Sequence, residues 1–369
     1  MPHQKFNRDL LKVRKLSERK NKVNIVTDSI PVDRKPSYLS SDALSLIGLT
    51  VQKIKSAREQ NRSVILAFGA HTIKNGMAPT LIALMEQGWV THLATNGAGI
   101  IHDWEFAFLG KSSEDVRENV AAGQFGIWHE TGFYISLAIA TGAYEGLGYG
   151  ESVGKMISRE GLDIPDPGEL EDIALKNIST HPEIASSAIE LAGLIIKVGI
   201  KPGFLKIPHP FKKYSVQAAA YNKGIPFTGH PMIGHDIIYC HPASSGSAIG
   251  RTAMIDFLTF AESVSNLENG VYLSVGSAVM SPMIFEKSLS MARNIKIQEN
   301  KNIVNHFMLI VDLAKSDWDW EKSGEPPVDN PSYYLRFCKT FSRMGGEMHY
   351  LTADNRDFLL AIYQKINNL

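Results

Sequence analysis

The sequence predicts an α/β fold: a Rossmann-like, mostly parallel sheet with helices on both of its faces. From residue 41 onward, short apolar segments of strand length alternate with helical patterns of about a dozen residues. Residues 63–68 (SVILAF) carry apolar side chains at successive positions, as a strand covered on both faces requires. We therefore expect one such domain over residues 41–369, with a helical insertion at about residues 104–200 and a polar N-terminal arm at residues 1–40.

The elements follow in chain order from the local signals. Ser41 and Asp42 can cap a helix that runs to about Gln60. After the strand at 63–68 we predict a turn at 69–75, a helix at 76–87 and a strand at 89–95. The later strands are predicted near residues 225–229, 236–240, 271–275, 306–312 and 348–353, and the later helices at residues 211–223, 251–267, 282–293, 332–343 and 356–367.

Composition narrows the class of protein. Lys plus Arg equals Asp plus Glu, at 38 each, so no general attraction to nucleic acid or to an anionic membrane is expected. Two cysteines, Cys240 and Cys338, cannot form a disulfide scaffold, and no apolar stretch is long enough to span a bilayer. We expect a cytoplasmic protein with neither nucleic acid nor membrane as a partner. The basic run from Arg14 to Lys20 is expected to be a solvated face or a flexible tail, more than a site for an acidic partner.

Four loops follow predicted strands, where parallel sheets bind their ligands. Residues 69–76 form either a phosphate site at a helix N-terminus or an ordinary capped turn. The glycines of residues 96–103 let the backbone approach a ligand, and residues 275–279 again join a strand to a helix through small side chains. In the last loop, at residues 353–356, Asp354 either hydrogen-bonds a ribose or caps the final helix.

A histidine cluster at residues 230–241 suggests a metal site at first sight. It contains His230, His235, Asp236 and His241, but no HExxH pattern or closed zinc set is present. We therefore expect no tightly bound metal there. The nearby serine-rich segment at residues 244–247 lacks the GxSxG arrangement, so a polar turn is expected rather than a nucleophile loop.

Residues 69–110 carry a more specific signal. Asn75-Gly76, Thr80, the run at residues 95–99 and Asp103 fall in register with motifs of the cofactor region of deoxyhypusine synthases, which this chain resembles. The resemblance continues through short motifs at residues 225–236, 271–294, 333–339 and 353–355. It covers roughly residues 45–110 and 200–369.

The resemblance implies an NAD-dependent aminoalkyl (aminobutyl) transferase acting on a polyamine or related amine through a lysine imine. Lys339 stands in the place of the imine-forming lysine. The substrate-binding residues implied are His102, His235, Asp236 and Phe337. The residues implied to bind NAD are His71, Thr72, Asn96, Gly97, Ala98, Gly276, Ser277, Asp354 and Asn355. A homo-oligomer, tetrameric in the family, and an amine or protein-lysine acceptor are also implied.

Several positions depart from the family pattern. His102 replaces an acidic residue, Pro282 replaces a histidine, and Tyr333 and Phe337 replace a glutamate and a tryptophan. On pattern alone, Lys339 is better explained as a surface lysine of an amphipathic helix, and only the resemblance makes the imine-forming role an equal alternative. The alternatives are therefore a non-catalytic dinucleotide-binding sensor or scaffold, or a different NAD-dependent reaction in the same cleft.

Overall fold

The computed structural model describes residues 3–37 and 39–368. Within them the strands are β1 Val23–Asn24, β2 Val64–Phe68, β3 His92–Asn96, β4 Lys111–Ser112, β5 Gly161–Ile164, β6 Gly203–Lys206, β7 Phe227–His230, β8 Val271–Val275, β9 Phe307–Asp312 and β10 Glu347–Thr352. The helices are α1 Ile25–Asp28, α2 Ser41–Glu59, α3 Ala70–Lys74, α4 Ala78–Glu86, α5 Gly97–Leu109, α6 Val116–Ala121, α7 His129–Glu145, α8 Tyr149–Arg159, α9 Pro167–Asn177, α10 Pro182–Val198, α11 Val216–Lys223, α12 Gly246–Ser265, α13 Met280–Gln298, α14 Arg336–Ser342 and α15 Asn355–Ile366.

A six-stranded, fully parallel sheet forms the centre of the protein. Its order is β10-β9-β8-β2-β3-β7, and every neighbouring pair is parallel. In chain order, β2, β3 and β7 follow one another toward one edge of the sheet. Strands β8, β9 and β10 then follow one another toward the other edge. The strand order therefore reverses between β2 and β8, which is the switch point of a Rossmann-like sheet. The predicted fold class is confirmed.

Helices cover both faces of this sheet because its strands are apolar on both sides. In β2, Leu66 and Phe68 belong to one buried cluster, and Ile65 and Ala67 belong to the other. Helices α2, α4, α5 and α15 contribute to the first cluster, while α12, α13 and α14 contribute to the second. All five residues of β2 are buried, so the strand does not alternate between apolar and polar side chains. The uninterrupted apolar run in the sequence had indicated this.

Three local predictions are wrong, each because a helical turn replaces an irregular or extended segment. The predicted turn at residues 69–75 contains α3, and the predicted loop at residues 96–103 is the first half of α5. Helix α5 can begin directly after β3 because the Asn96 side chain accepts a hydrogen bond from the Gly99 N–H at 3.0 Å. The predicted strand at residues 236–240 is a 3₁₀ turn with Ile238 as its buried residue.

The N-terminal segment lies against the body of the protein. Leu16 and Ile25 are fully buried, and the Leu16 N–H donates to Glu130 Oε2 at 2.6 Å. Arg19, within the basic run, is 6 % exposed. The expectation of a solvated face is therefore wrong at Arg19, whose charge is matched by a carboxylate described below.

No helix in the described part of the chain is both long enough and apolar enough to cross a membrane.

Candidate functional site

The carboxyl ends of β2 and β8 meet at the switch point through two glycines. The Gly69 N–H donates to the Val275 carbonyl oxygen at 3.0 Å, and a Cβ atom at residue 69 would overlap the Gly276 carbonyl oxygen. Gly276 itself has a φ of +59°, which most side chains disfavour. These two glycines let the two loops approach closely.

A first cavity of about 230 Å³, here called the Asp312 cavity, lies over the carboxyl ends of β8, β9 and β10. It contains predicted cofactor residues from three separate loops, so the structure brings these distant positions together. Its lining residues are His71, Asn75, Gly276, Val311, Asp312, Leu313, Ala353, Asp354 and Asn355.

Asp354 and Asp312 supply the carboxylates of this cavity, but they are engaged differently. Asp354 caps α15 by accepting from the Arg356 N–H at 2.8 Å, and both of its oxygens also accept from the Arg356 guanidinium. These hydrogen bonds to Arg356 hold the pKa of Asp354 below its usual value. Asp312 Oδ1 accepts from the Ala314 N–H at 3.0 Å, and no donor to Oδ2 is present among the described residues. Asp312 is therefore the freer acceptor for a ligand hydroxyl.

Sequence reasoning missed Asp312, although a signal for it exists. It is the single polar residue that ends the apolar run FMLIVD, at the edge where ligands bind.

Three other predicted cofactor residues hold the loops in place without lining this cavity. Thr72 is fully buried, and its Oγ1 accepts from Asn355 Nδ2 at 3.2 Å. Ser277 Oγ accepts from the Ser281 N–H at 3.1 Å, and Asn96 caps α5. Their side chains fix the start of helices that follow the strands.

Helix α13 begins at Met280, four residues after Gly276 of the Asp312 cavity, and its first N–H groups are only partly hydrogen-bonded. Val279 provides no side-chain cap, and the backbone N–H groups of Ala278, Val279 and Met280 donate no hydrogen bond within the described ranges. Free N–H groups at the start of a 19-residue helix attract an anion such as a phosphate.

A second cavity of about 220 Å³, here called the Asp236 cavity, lies beside the first turns of α5. It brings together the predicted residues Ala98, His102, His235 and Asp236. The full lining is Arg19, Lys74, Ala98, Ile101, His102, Glu105, Ser113, Glu114, Val116, Phe125, His235, Asp236 and Ile237.

Asp236 is the acid at the mouth of this cavity. Burial raises its pKa to about 6, although the Tyr239 hydroxyl donates to Oδ2 at 3.3 Å and acts in the opposite direction. The carboxylate lies against Gly97, where an added Cβ would overlap it. Gly97 therefore makes room for a side chain of the protein, whereas the sequence had suggested that it makes room for a ligand.

A buried ion pair forms the inner wall of the cavity. Arg19 Nη2 donates to Glu105 Oε2 at 2.6 Å and Nη1 donates to Oε1 at 2.8 Å. Burial is the largest influence and acts to raise the pKa of Glu105, but the charge and hydrogen bonds of Arg19, together with His102 and Ser112, outweigh it and hold that pKa below its usual value. Ser112 Oγ donates to Glu105 at 2.5 Å and contacts His102 Nδ1 at 2.7 Å. Burial lowers the pKa of His102 to about 4, so its ring is neutral at pH 7.

Glu114 and Lys74 carry the remaining charges of the cavity. Glu114 Oε1 accepts from the Gly126 N–H at 3.1 Å and from Trp128 Nε1 at 3.0 Å, while Oε2 is buried and has no hydrogen-bond partner in residues 3–37 and 39–368. Burial raises the pKa of Glu114. The Lys74 ammonium has no carboxylate partner in the described residues, and its charge helps to lower the pKa values of both His71 and His102.

Sequence reasoning missed the charged groups Arg19, Lys74, Glu105 and Glu114. Only Lys74 had a signal in the sequence, because it belongs to the segment 69–76 that follows a predicted strand.

Lys339, the predicted imine-forming lysine, lines neither cavity. Its Nζ lies 2.9 Å from Glu325 Oε1 and 3.3 Å from the centre of the Tyr333 ring. The hydrogen bond to Glu325 raises the pKa of Lys339, whereas imine chemistry favours a lowered one. Phe337, a predicted substrate residue, packs beside Tyr350 in the second buried cluster. Their roles stay predictions.

The three histidines at residues 230–241 make different contacts. His230 Nε2 contacts Thr228 Oγ1 at 2.9 Å, and His241 Nδ1 accepts from the Ala243 N–H at 3.1 Å. His235 alone of the three lines the Asp236 cavity. Across residues 3–37 and 39–368, no three His, Cys, Asp or Glu side chains are grouped so as to hold a metal ion.

No protein-family model matches the chain, and no curated protein sequence matches it.

Several solved structures are similar to the chain at low identity. AgrE matches with 16 % identity and a TM-score of 0.45 over 91 % of this chain and 34 % of its own, so the chain spans about a third of that protein. AgrE has also been solved as a ternary complex with ornithine and NAD⁺. A conserved LOR/SDH candidate from Methanococcus maripaludis S2 matches with 10 % identity and a TM-score of 0.43, covering 91 % of this chain and 71 % of that one.

A candidate deoxyhypusine synthase from Entamoeba histolytica, a protein of the family that the sequence resembles, is also among the similar structures. It has 12 % identity and a TM-score of 0.38, covering 89 % of this chain and 88 % of that one.

Proposed function

We propose that this protein is an NAD-dependent enzyme that oxidises a small amine at the carbon bearing the nitrogen. The observation that carries the proposal is that neighbouring residues of one short segment, residues 71–75, line both cavities. His71 and Asn75 line the Asp312 cavity, and Lys74 lines the Asp236 cavity. A dinucleotide held in the first and an amine held in the second would meet beside the switch point.

The residues around the Asp312 cavity fit a dinucleotide. The free N–H groups of residues 278–280 suit a pyrophosphate, Asp312 suits a ribose hydroxyl, and Gly69 with Gly276 leaves the crevice open. When bound, NAD would accept a hydride from the amine carbon while the nitrogen lone pair forms the C=N bond of an imine.

Asp236 supplies the acid–base chemistry of the proposal. With a pKa of about 6 its side chain is mostly a carboxylate at pH 7, so it attracts an ammonium group. The amine must lose one proton before its lone pair can form the C=N bond, and Asp236 is the acceptor for that proton. The neutral His102 ring adds no charge that would repel the incoming cation.

The resemblance implies a more specific reaction, the transfer of an aminobutyl group through Lys339. This step requires Lys339 to leave Glu325, which now holds its Nζ at 2.9 Å, and to approach the amine. Amine oxidation needs no such movement, so the geometry favours it as the shared first step.

Calorimetry with NAD tests the proposal directly. We expect saturable binding by the native chain and a loss of about tenfold or more in Asp312→Ala, because the proposed charge-assisted hydrogen bond from a ribose hydroxyl to Asp312 is removed. The exposed Asp317→Ala is the matched control and should bind like the native chain. Folded protein that shows neither heat nor a thermal shift with NAD contradicts the proposal. NAD binding without reduction of NAD by any amine favours the alternative, a non-catalytic dinucleotide-binding protein.

A further inference from the structure

The charges that line the Asp236 cavity include a cation, Lys74, that pairs with no carboxylate of the described residues. Arg19 and Glu105 neutralise each other through two hydrogen bonds of 2.8 and 2.6 Å. Lys74 has no such partner in the part of the chain that the structure describes. A ligand with only ammonium groups, such as a polyamine, would be repelled by Lys74, whereas a ligand carboxylate would pair with it.

The same cavity also offers two carboxylates for ammonium groups. Asp236 lines the cavity; the Tyr239 hydroxyl donates to it at 3.3 Å and the Met232 backbone N–H also acts on its carboxylate, but no cation of the described residues forms an ion pair with it. Glu114 is 7 % exposed, and its buried Oε2 accepts no hydrogen bond from the residues that the structure describes. A buried carboxylate oxygen without a donor is costly, so it points to a donor that arrives with a ligand.

Counting the ionised forms gives the charge that a ligand must balance. Arg19 and Lys74 contribute two positive charges, and Glu105, Glu114 and Asp236 contribute three negative ones, which leaves a net charge of −1. A molecule with two ammonium groups and one carboxylate has a net charge of +1. Its three charged groups also match the three unpaired groups of the cavity in sign and in number.

We propose that the amine substrate is an amino acid that carries a second amine, with its carboxylate held by Lys74 and its ammonium groups held by Asp236 and Glu114. This inference rests on the proposed function, because it names the substrate class of the same cavity. It departs from the polyamine that the sequence resemblance implies.

Matched pairs of ligands isolate the carboxylate. Ornithine and putrescine differ by one carboxylate, as do lysine and cadaverine, so calorimetry of all four measures what that group contributes. We expect each amino acid to bind about tenfold or more tightly than its decarboxylated partner, with and without NAD. The preference should disappear in Lys74→Met, persist in Lys74→Arg, and be unchanged in the exposed control Lys223→Met.

Glu114→Gln tests the amine contacts separately. We expect it to weaken both members of each pair, because both present an ammonium group. Tighter binding of the diamines, or a Lys74→Met variant that keeps the preference, overturns the inference while the proposed function stands. A Lys74→Met variant that loses NAD affinity alone also overturns it, because Lys74 would then serve the cofactor. If none of the four ligands binds, the inference falls, and the NAD calorimetry decides the proposed function on its own.

Discussion

The carboxylate of Asp236 lies so close to Gly97 that a Cβ atom at residue 97 would overlap it. The two residues are far apart in sequence, and their contact places the acid at the first turn of α5. The next turns of that helix supply His102 and Glu105 to the same cavity. One glycine therefore lets an acid, a neutral histidine and a buried ion pair share one cavity.

Gly97→Ala is expected to destabilise the protein by about 1–3 kcal/mol, because the new methyl group must displace the Asp236 side chain in a packed region. Amine binding should weaken with it, since the displaced carboxylate no longer faces the cavity. Urea unfolding and ligand calorimetry on the same samples measure the two effects.

Gly193→Ala is the matched control, because Gly193 lies exposed in α10 and a Cβ there would meet nothing within 4 Å. It should stabilise the protein by up to about 1 kcal/mol through helix propensity. Equal stability of Gly97→Ala and the native chain would show that Asp236 moves aside without cost.

Arg19→Met is expected to cost about 3–5 kcal/mol of stability, because it leaves Glu105 buried and without its counter-charge. The double variant with Glu105→Gln should recover much of this loss. Denaturant unfolding of the two single variants and the double variant gives the coupling between the residues.

The surface pair Arg159–Asp163 provides the control for this cycle, since its side chains are 44 % and 53 % exposed. Breaking it should change stability by about 1 kcal/mol or less. A similarly small effect of Arg19→Met would mean that Glu105 is reached by water.

The sheet could be predicted from the sequence because its strands are short, apolar on both faces and separated by helices. Predicted strands at residues 63–68, 271–275 and 306–312 match β2, β8 and β9 to within one residue at each end. The start of α5 could not be predicted from the sequence, because glycines at residues 97 and 99 are typical of loops. The Asn96 side chain caps the helix there, and Gly97 leaves the space that Asp236, from a distant segment, occupies.

The two cavities of the candidate site also differ in how well the sequence predicts them. Strand-end loops predict where a ligand binds in a parallel sheet, and His71, Gly276, Asp354 and Asn355 do line one cavity. The charges of the other cavity depend on tertiary packing that no local pattern encodes. Arg19 comes from the N-terminal segment, and Glu105 belongs to the interior of a helix.

Asp256→Asn is expected to remove a pH-dependent loss of stability. Burial raises the pKa of Asp256 to about 8, although the N–H groups of Gly150 and Gly229 donate to it. Between about pH 4 and pH 8 the folded state therefore keeps a proton that the unfolded state has released. Because of this difference in proton binding at Asp256, the free energy of unfolding of the native chain decreases as the pH rises, by at most about 1.4 kcal/mol per pH unit.

Denaturant unfolding at several pH values measures this effect as the difference between the native chain and Asp256→Asn. The difference should move in favour of the variant as the pH increases through that window. A difference that stays constant would mean that Asp256 is ionised throughout.

Lys339 is expected to be a slow nucleophile in the protein as folded, because its ammonium is held by Glu325 at 2.9 Å and lies over the Tyr333 ring. The pKa of Lys339 is raised by that hydrogen bond, so the neutral amine is scarce at pH 7. Glu325→Gln removes the carboxylate and should increase borohydride trapping of an added aldehyde on Lys339, measured by peptide mass mapping. Glu321→Gln is the matched control, since Glu321 pairs with His349 and should leave trapping unchanged.

Native Lys339 that traps as fast as the exposed Lys223 would contradict this restraint. Trapping on Lys339 that requires both NAD and an amine would instead mean that ligand binding frees it from Glu325, and would support the transfer chemistry that the sequence resemblance implies.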